Sequence, residues 1–334
     1  MTIAKKFIND PENIPDQTVK GYLAAQRRTL KKVGDGNVLV ARELPDSKIG
    51  VLIGGGIAAE PLFLGYVGKN MADCAVIGNV NAAPSPLYIL EGSKTIDQGK
   101  GVLYIYNNYS GDAMSFDMAA ELAQDENIQT QTVKVCDDVG SSPIGTIYER
   151  NGIMGAIYVI KIAGSASSEI HDLVELQQVV SDARDSTRSL IVAARSGYYL
   201  ESGELMFQLP ENTMNIATGL HGGPGLFSSE IKSADETVDI ALEILLKDLD
   251  CQANDEVAVM VNSMGATSIT ELFILNHRID QVLRKNNIAI HHTDVGFFYT
   301  SQDMVGFSIT LMKLNNELKR YFDLPADSFS YKRL

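Results

Sequence analysis

Lys48-Ile49-Gly50-Val51-Leu52-Ile53-Gly54-Gly55-Gly56 is a short apolar run that stops on three glycines. An apolar run of this length bounded by glycine reads as a strand buried on both faces, followed by a tight turn. The pattern recurs downstream. Residues 101–106 form a second such run, ending in the polar stretch 107–112, and residues 112–124 then carry Met118, Ala119 and Leu122 at helical spacing. Residues 132–135 and 156–160 read as further buried strands. Residues 168–188 read as a long amphipathic helix with Ile170, Leu173, Leu176 and Val180 on one face. Strands alternating with helices predict a βαβ-type core and an α/β fold.

A second lobe is expected to begin near Leu190, opening with a strand at 191–194. A glycine-dense loop at 219–225 surrounds His221. A helix over 234–247 has a capping-box start, Ser233 with Glu236 three residues on. Residues 256–261, 288–291 and 305–311 read as strands, with a helix at 268–285 between the first two. There is no internal repeat, low-complexity tract or linker. The expected architecture is two α/β lobes, each a sheet with flanking helices, divided as 1–189 and 190–334.

The chain of 334 residues is 45% hydrophobic and 21% charged, an ordinary globular composition. Its net charge of −14 disfavours direct nucleic-acid binding, which needs a basic footprint to neutralise phosphates. No apolar run approaches the roughly 20 residues that span a bilayer. Residues 1–15 are polar and hold no signal-peptide core. Cys74, Cys136 and Cys251 are odd in number, far apart and outside any CxxC pattern. That argues against a disulfide framework or zinc site and for a reducing, cytoplasmic setting.

Gly54, Gly56 and Ala59 satisfy a loose dinucleotide fingerprint. Glu60-Pro61 follows at once, and proline fits only the first turn of a new helix, so the continuous helix of that fold is awkward. The nearest acidic residue at the right distance, Asp73, begins an apolar run instead of ending one. Glycines here still let a backbone approach a polar ligand closely.

His221 sits in Gly219-Leu220-His221-Gly222-Gly223-Pro224-Gly225. A structural histidine usually sits on a helix or strand, where packing or a hydrogen bond fixes it; one among four glycines and a proline has little bulk around its ring and is more often aimed at something. Its neutral imidazole can act as nucleophile, base or ligand at cellular pH. His171 and His277 read as helix-surface residues, and His291 and His292, adjacent on a strand, cannot chelate one metal together. Asn108-Tyr109-Ser110-Gly111-Asp112 follows a buried strand and opens a helix. Asp112 is either a helix cap or a carboxylate at the carboxyl end of a strand, where α/β folds place ligands, and the two roles are compatible. The strand-end loop 262–267 carries the same ambiguity.

Taken in order, these segments resemble the DhaK family, the substrate-binding subunits of dihydroxyacetone kinases. The resemblance runs from Lys6-Phe7-Ile8-Asn9-Asp10 through the glycine loop with Glu60-Pro61, the Asp112 segment and Gly219-Leu220-His221-Gly222, to residues 300–310. It implies two α/β lobes and a homodimer. It implies that His221 adds to the ketone of dihydroxyacetone as a hemiaminal, that Asp112 contacts a hydroxyl of the ligand, and that the backbone at Gly55 and Gly56 holds it. No cofactor and no metal are implied.

The departures are specific. Kinase subunits of this family usually read Gly-Gly-Gly-Ser-Gly-His-Glu-Pro in the first loop, and here Ala59 replaces that histidine. They usually carry a lysine before Asn-Tyr-x-Gly-Asp, and here that position is Asn107. Gly223 stands where a glutamate is typical. Losing one acid–base group commonly costs roughly 10² to 10⁴ in rate, so no catalytic residue is expected. The pattern resembles the DhaQ-type paralogues, which bind dihydroxyacetone and co-activate a TetR-type transcription regulator of the kinase operon. The alternative is an active substrate-binding subunit of a phosphotransferase-system-dependent kinase, which would need a nucleotide-bearing partner.

Overall fold

The computed structural model of the chain describes residues 5–57 and 59–334. The fold is mixed α/β. It divides into two compact units, each assembled from separate stretches of chain. The first holds residues 7–135, 156–184 and 317–334; the second holds residues 5 and 6, 136–155 and 185–316. The expected boundary after residue 189 lies near the crossing at 184/185, and the chain also passes between units at 135/136, 155/156 and 316/317.

In the first unit, β1 (Leu30–Val33) and β2 (Val38–Ala41) form an antiparallel pair; β3 (Gly50–Ile57), β4 (Gly68–Lys69), β5 (Cys74–Val80), β6 (Val102–Asn107) and β7 (Thr130–Val135) follow. Six of these make a sheet in the order β1-β2-β5-β3-β6-β7, parallel from β5 through β7. Every residue of β6 is buried, as a central parallel strand covered on both faces requires. The lower end of this sheet is pinned by a buried ion pair. Lys48 Nζ lies 2.8 Å from Asp73 Oδ1, and Asp73 Oδ2 accepts from the Val51 N–H at 2.8 Å.

Helices α1 (Ile14–Ala25), α2 (Pro86–Ile96) and α3 (Ser110–Asp125) belong to the same unit. So does α4 (Ala156–Ala166), which corrects the strand expected at 156–160. All eleven of its residues are buried. A helix buried all round shows no amphipathic period, and its opening β-branched run mimics a strand. Lys161 on α4 is fully buried, donating to Ser165 Oγ at 2.5 Å and to the Tyr321 carbonyl at 2.7 Å; burial lowers its pKa to about 7.

The helix expected at 168–188 is shorter, α5 (Leu173–Asp185). Asp172 stops it on the N-terminal side, its Oδ1 accepting from the Val174 and Glu175 N–H groups at 2.9 Å. His171 therefore lies in the connection before the helix, not on it.

The second unit contains β8 (Thr187–Arg195), β9 (Thr213–Ile216), β10 (Phe227–Glu230), α6 (Ala234–Asp248), β11 (Glu256–Ser263), α7 (Ile269–Lys285), β12 (Ala289–Gly296) and β13 (Val305–Lys313). Its sheet runs β10-β9-β8-β13-β11-β12, antiparallel except for the β11–β12 pair. Helix α8 (Asn316–Asp323) and the short strands β14 (Ala326–Ser328) and β15 (Lys332–Arg333) close the chain; β14 pairs with both β15 and β4. Both α6 and α7 open on complete capping boxes, Ser233 with Glu236 and Ser268 with Glu271. Arg150, 1% exposed, grips Asp248 through two bonds of 2.7 Å, and Arg188 Nε adds a third at 2.8 Å.

Candidate functional site

The three glycines do not form the expected turn. β3 continues through them to Ile57, with a register shift against β5 between Gly55 and Ile57, and none has a positive φ. What they provide is close approach. A Cβ on Gly54 would meet the Val76 carbonyl oxygen at 2.6 Å, one on Gly55 the Phe63 ring at 2.4 Å, and one on Gly56 the Ala82 nitrogen at 2.8 Å. Glycine is required where backbone and rings press this near the strand. After β3, residues 59–63 make turns and Leu64–Tyr66 a single 3₁₀ turn. The helix that would face a dinucleotide pyrophosphate does not follow this strand.

β6 lies beside β3 in parallel, with Ile53 opposite Ile105. Parallel pairing carries the ends of both strands to one edge, so Gly55, Gly56, Asn107 and the Asp112 segment share the carboxyl edge of this sheet. Asn107 is 3% exposed and Ala59 is 8% exposed. Two of the three positions that depart from the kinase pattern are thus buried at or near this edge.

Asp112 is the third residue of α3, which opens at Ser110 with Tyr109 as N-cap. The cap reading is therefore displaced, because Asp112 stands inside the first turn. Its Oδ1 is buried without a hydrogen-bond partner, and burial raises the carboxyl pKa to about 7. A first-turn position favours the carboxylate through the helix dipole, so desolvation wins here. Beneath it the Tyr106 hydroxyl is likewise buried without a partner, and its pKa is pushed up by burial and by the charges of Asp117 and Asp112. The sequence offered no sign of this hydroxyl, because Tyr106 reads simply as strand core.

His221 belongs to the second unit, on the loop between β9 and β10. The loop folds by glycine. The Gly222 N–H donates to the Gly219 carbonyl at 3.1 Å, the Gly219 N–H to the Gly223 carbonyl at 3.2 Å, and Gly222 has φ +81°. A side chain at Gly222 would be strained by that dihedral and would meet Phe207 at 2.9 Å. Thr218 Oγ1 donates to the Gly223 carbonyl at 3.0 Å. Leu220 is buried while His221 is exposed, so the loop anchors on one side chain and presents the next. The protein packed around this loop still lowers the imidazole pKa by desolvation. The ring is therefore neutral at neutral pH, with a nitrogen lone pair free of a proton.

The ambiguous loop at 262–267 is scaffold. Asn262 is fully buried; its Nδ2 donates to the Tyr299 carbonyl at 2.7 Å, and its Oδ1 accepts from the Phe298 and Tyr299 N–H groups. His291 and His292 meet different carboxylates: Glu256 on β11, beside the register shift in the β11–β12 pair, and Asp294 on β12 itself. Among the described residues there is no cluster that could hold a metal ion, and none of the three cysteines is in a disulfide. A groove of about 630 Å³ lies in the first unit beside Gln124, Gln129 and Leu173, at the start of β7. That is the opposite end of the strands from Asp112, and no expected site residue lines it.

With this geometry in hand, the comparisons with known proteins decide the family. The Dak1 domain model matches residues 20–330. The chain belongs to the Dak1 family. A Dak1 relative from Listeria innocua, the dihydroxyacetone-binding subunit DhaK of PTS-dependent dihydroxyacetone kinase 2, is 37% identical over 98% of this chain and 99% of its own length. Among solved structures, the dihydroxyacetone kinase of C. freundii superposes with a TM-score of 0.89 at 25% identity, over 99% of this chain and 61% of that one. The dihydroxyacetone kinase operon co-activator Dha-DhaQ also gives a TM-score of 0.89 at 25% identity, over 96% of this chain and 99% of that one. Among the described residues no helix is long and apolar enough to cross a membrane.

Proposed function

We propose that this chain is a dihydroxyacetone-binding Dak1 protein that captures its ligand as a hemiaminal on His221 and does not turn it over. One nitrogen of the neutral imidazole bonds to the carbonyl carbon, and the carbonyl π pair moves to oxygen. That oxygen gains a proton as the other ring nitrogen gives one up. No atom is lost, so the chain gains the full mass of the ligand. Glycerol offers similar hydroxyls but no carbonyl to attack, which gives selectivity. Asp112 and the backbone at Gly55 and Gly56 are assigned to ligand binding under the same proposal.

The observation that carries the reading is a contrast. The capture residue His221 stands neutral on a presented loop, and Asp112 keeps a desolvated carboxyl, while the kinase-pattern histidine and lysine are replaced by buried Ala59 and Asn107. Phosphoryl transfer depends on positioned charge and proton transfer, and neither residue supplies it. The proposed role is therefore co-activation of a TetR-type transcription regulator of a dihydroxyacetone kinase operon, as a homodimer in the cytoplasm. The likeness to the co-activator Dha-DhaQ supports this.

A second reading, an active DhaK subunit of a phosphotransferase-system-dependent kinase, is favoured by the 37% identity to the Listeria subunit. The two part on turnover. Mixed with the nucleotide-bearing subunits of a phosphotransferase-system-dependent dihydroxyacetone kinase and with dihydroxyacetone, the chain is expected to form an adduct without releasing phosphorylated product. Product formation at a kinase-like rate would establish the second reading.

A further inference from the structure

We infer that Ser301 is the positioning residue for His221, through the hydrogen bond from its hydroxyl to the peptide carbonyl that precedes the histidine. The inference rests on the reading of His221 as the capture residue. Ser301 Oγ donates to the Leu220 carbonyl at 2.7 Å, across 81 positions of sequence, and Ser301 is 3% exposed. That carbonyl belongs to the Leu220–His221 peptide. Fixing its direction fixes the plane from which the His221 Cα and its side chain depart. On the other side of His221 the chain turns at once through left-handed Gly222, which supplies no side chain to hold the ring. The bond from Ser301 thus constrains the backbone from which the imidazole departs.

The donor is itself held firmly. The Ser301 N–H donates to the Met264 carbonyl at 2.9 Å, and the Met304 N–H donates to the Ser301 carbonyl at 3.0 Å. The next two residues, Gln302 and Asp303, are non-glycine residues with φ of 34° and 64°. Consecutive left-handed residues persist only where surroundings impose them. Here the Tyr198 N–H donates to the Gln302 carbonyl at 3.0 Å, and Lys6 pairs with Asp303. A strained, braced turn whose one buried hydroxyl reaches the backbone of the capture loop is what a fixed nucleophile needs, because capture requires a defined approach to the carbonyl.

The test uses the whole chain and two readouts: the fraction carrying dihydroxyacetone by intact mass spectrometry, and the His221 titration by NMR without ligand. Ser301→Ala is expected to weaken adduct formation about tenfold, because a nucleophile displaced from its approach to the carbonyl reacts less readily. It should also move the His221 pKa toward the ordinary histidine value. Ser301→Thr, which keeps the hydroxyl, should restore both. Ser301→Cys, of similar shape with a weak donor, substitutes if Ser301→Ala does not fold, with the same direction expected. A Ser301→Ala chain that matches wild type in both readouts overturns the inference. A wild-type chain with no adduct, but with a His221 titration that Ser301→Ala displaces, would retain the positioning role and reject the capture reading.

Discussion

Tyr106 and Phe116 stack face to face, their ring centroids 4.3 Å apart and their planes 18° from parallel. One ring comes from β6 and the other from α3, one helical turn beyond Asp112, so the stack docks the start of α3 on the strand end. Gly54 makes room for it, since a Cβ there would lie 3.1 Å from Phe116. This packing holds the Asp112 carboxyl where solvent cannot fully reach it, and a measurable consequence follows for stability.

The folded Asp112 carboxyl titrates at about 7, above the roughly 3.9 of an unfolded aspartate. The folded state therefore binds the proton more tightly. Its benefit is complete below about pH 4 and is lost as pH rises through 7. Asp112→Asn should raise the melting temperature at pH 8 and leave it nearly unchanged at pH 4, with a modest gain because the residue is only half-buried. Equal shifts at both pH values would show that the carboxyl is not desolvated.

Gly56 lies where a methyl group would meet the Ala82 nitrogen at 2.8 Å and the Ala82 carbonyl oxygen at 3.0 Å. Backbone atoms cannot swing aside as a flexible side chain does. Gly56→Ala should cost about 1–3 kcal/mol by overpacking, read as a lower denaturant midpoint in urea unfolding, and should weaken ligand capture by displacing the strand end. A neutral effect on both would mean the approach is not tight.

Asp248 is pulled up by burial, but the hydrogen bonds and charges of Arg150 and Arg188 outweigh this and hold it below the usual carboxylate range. Removing Arg150 leaves this largely buried charge with one partner. Arg150→Ala should cost about 3–5 kcal/mol, again measured by denaturant unfolding. Since a depressed carboxylate stabilises the fold above its unfolded pKa, that loss should shrink as pH falls through the folded value.

Capture itself should depend on pH in one direction. The His221 pKa is lowered by desolvation, so the ring stays neutral to below the ordinary value near 6.5. Adduct yield should be flat around neutrality and fall in acid, with a midpoint below the ordinary histidine value. A midpoint above it would contradict a desolvated ring.

Much of this was legible in the residues. The alternation of apolar runs and amphipathic segments located β3, β6 and β7 of one sheet and β8, β11, β12 and β13 of the other, but not β1, β2, β5, β9 or β10, and Ser233 with Glu236 located a helix start to the residue. The His221 loop, glycine-dense and proline-bearing, is a loop in the fold as its composition requires. Two kinds of error have physical causes. Residues 156–160 were indistinguishable from a strand because a fully buried helix has no polar face to reveal its period. The glycines at 54–56 suggested a turn because sequence shows conformational freedom but not the neighbours, Val76, Phe63 and Ala82, that demand a missing side chain. The brace from Ser301 to Leu220 lay beyond any local pattern, since partners 81 positions apart meet only in the folded sheet. The interleaving of the two units is equally non-local.

The most direct test of the account is intact mass spectrometry of the chain after incubation with dihydroxyacetone and mild trapping, comparing wild type with His221→Ala and Ala59→His. A mass increase equal to one ligand is expected in wild type and in Ala59→His, and none in His221→Ala. An adduct that persists in His221→Ala would contradict covalent capture on this residue.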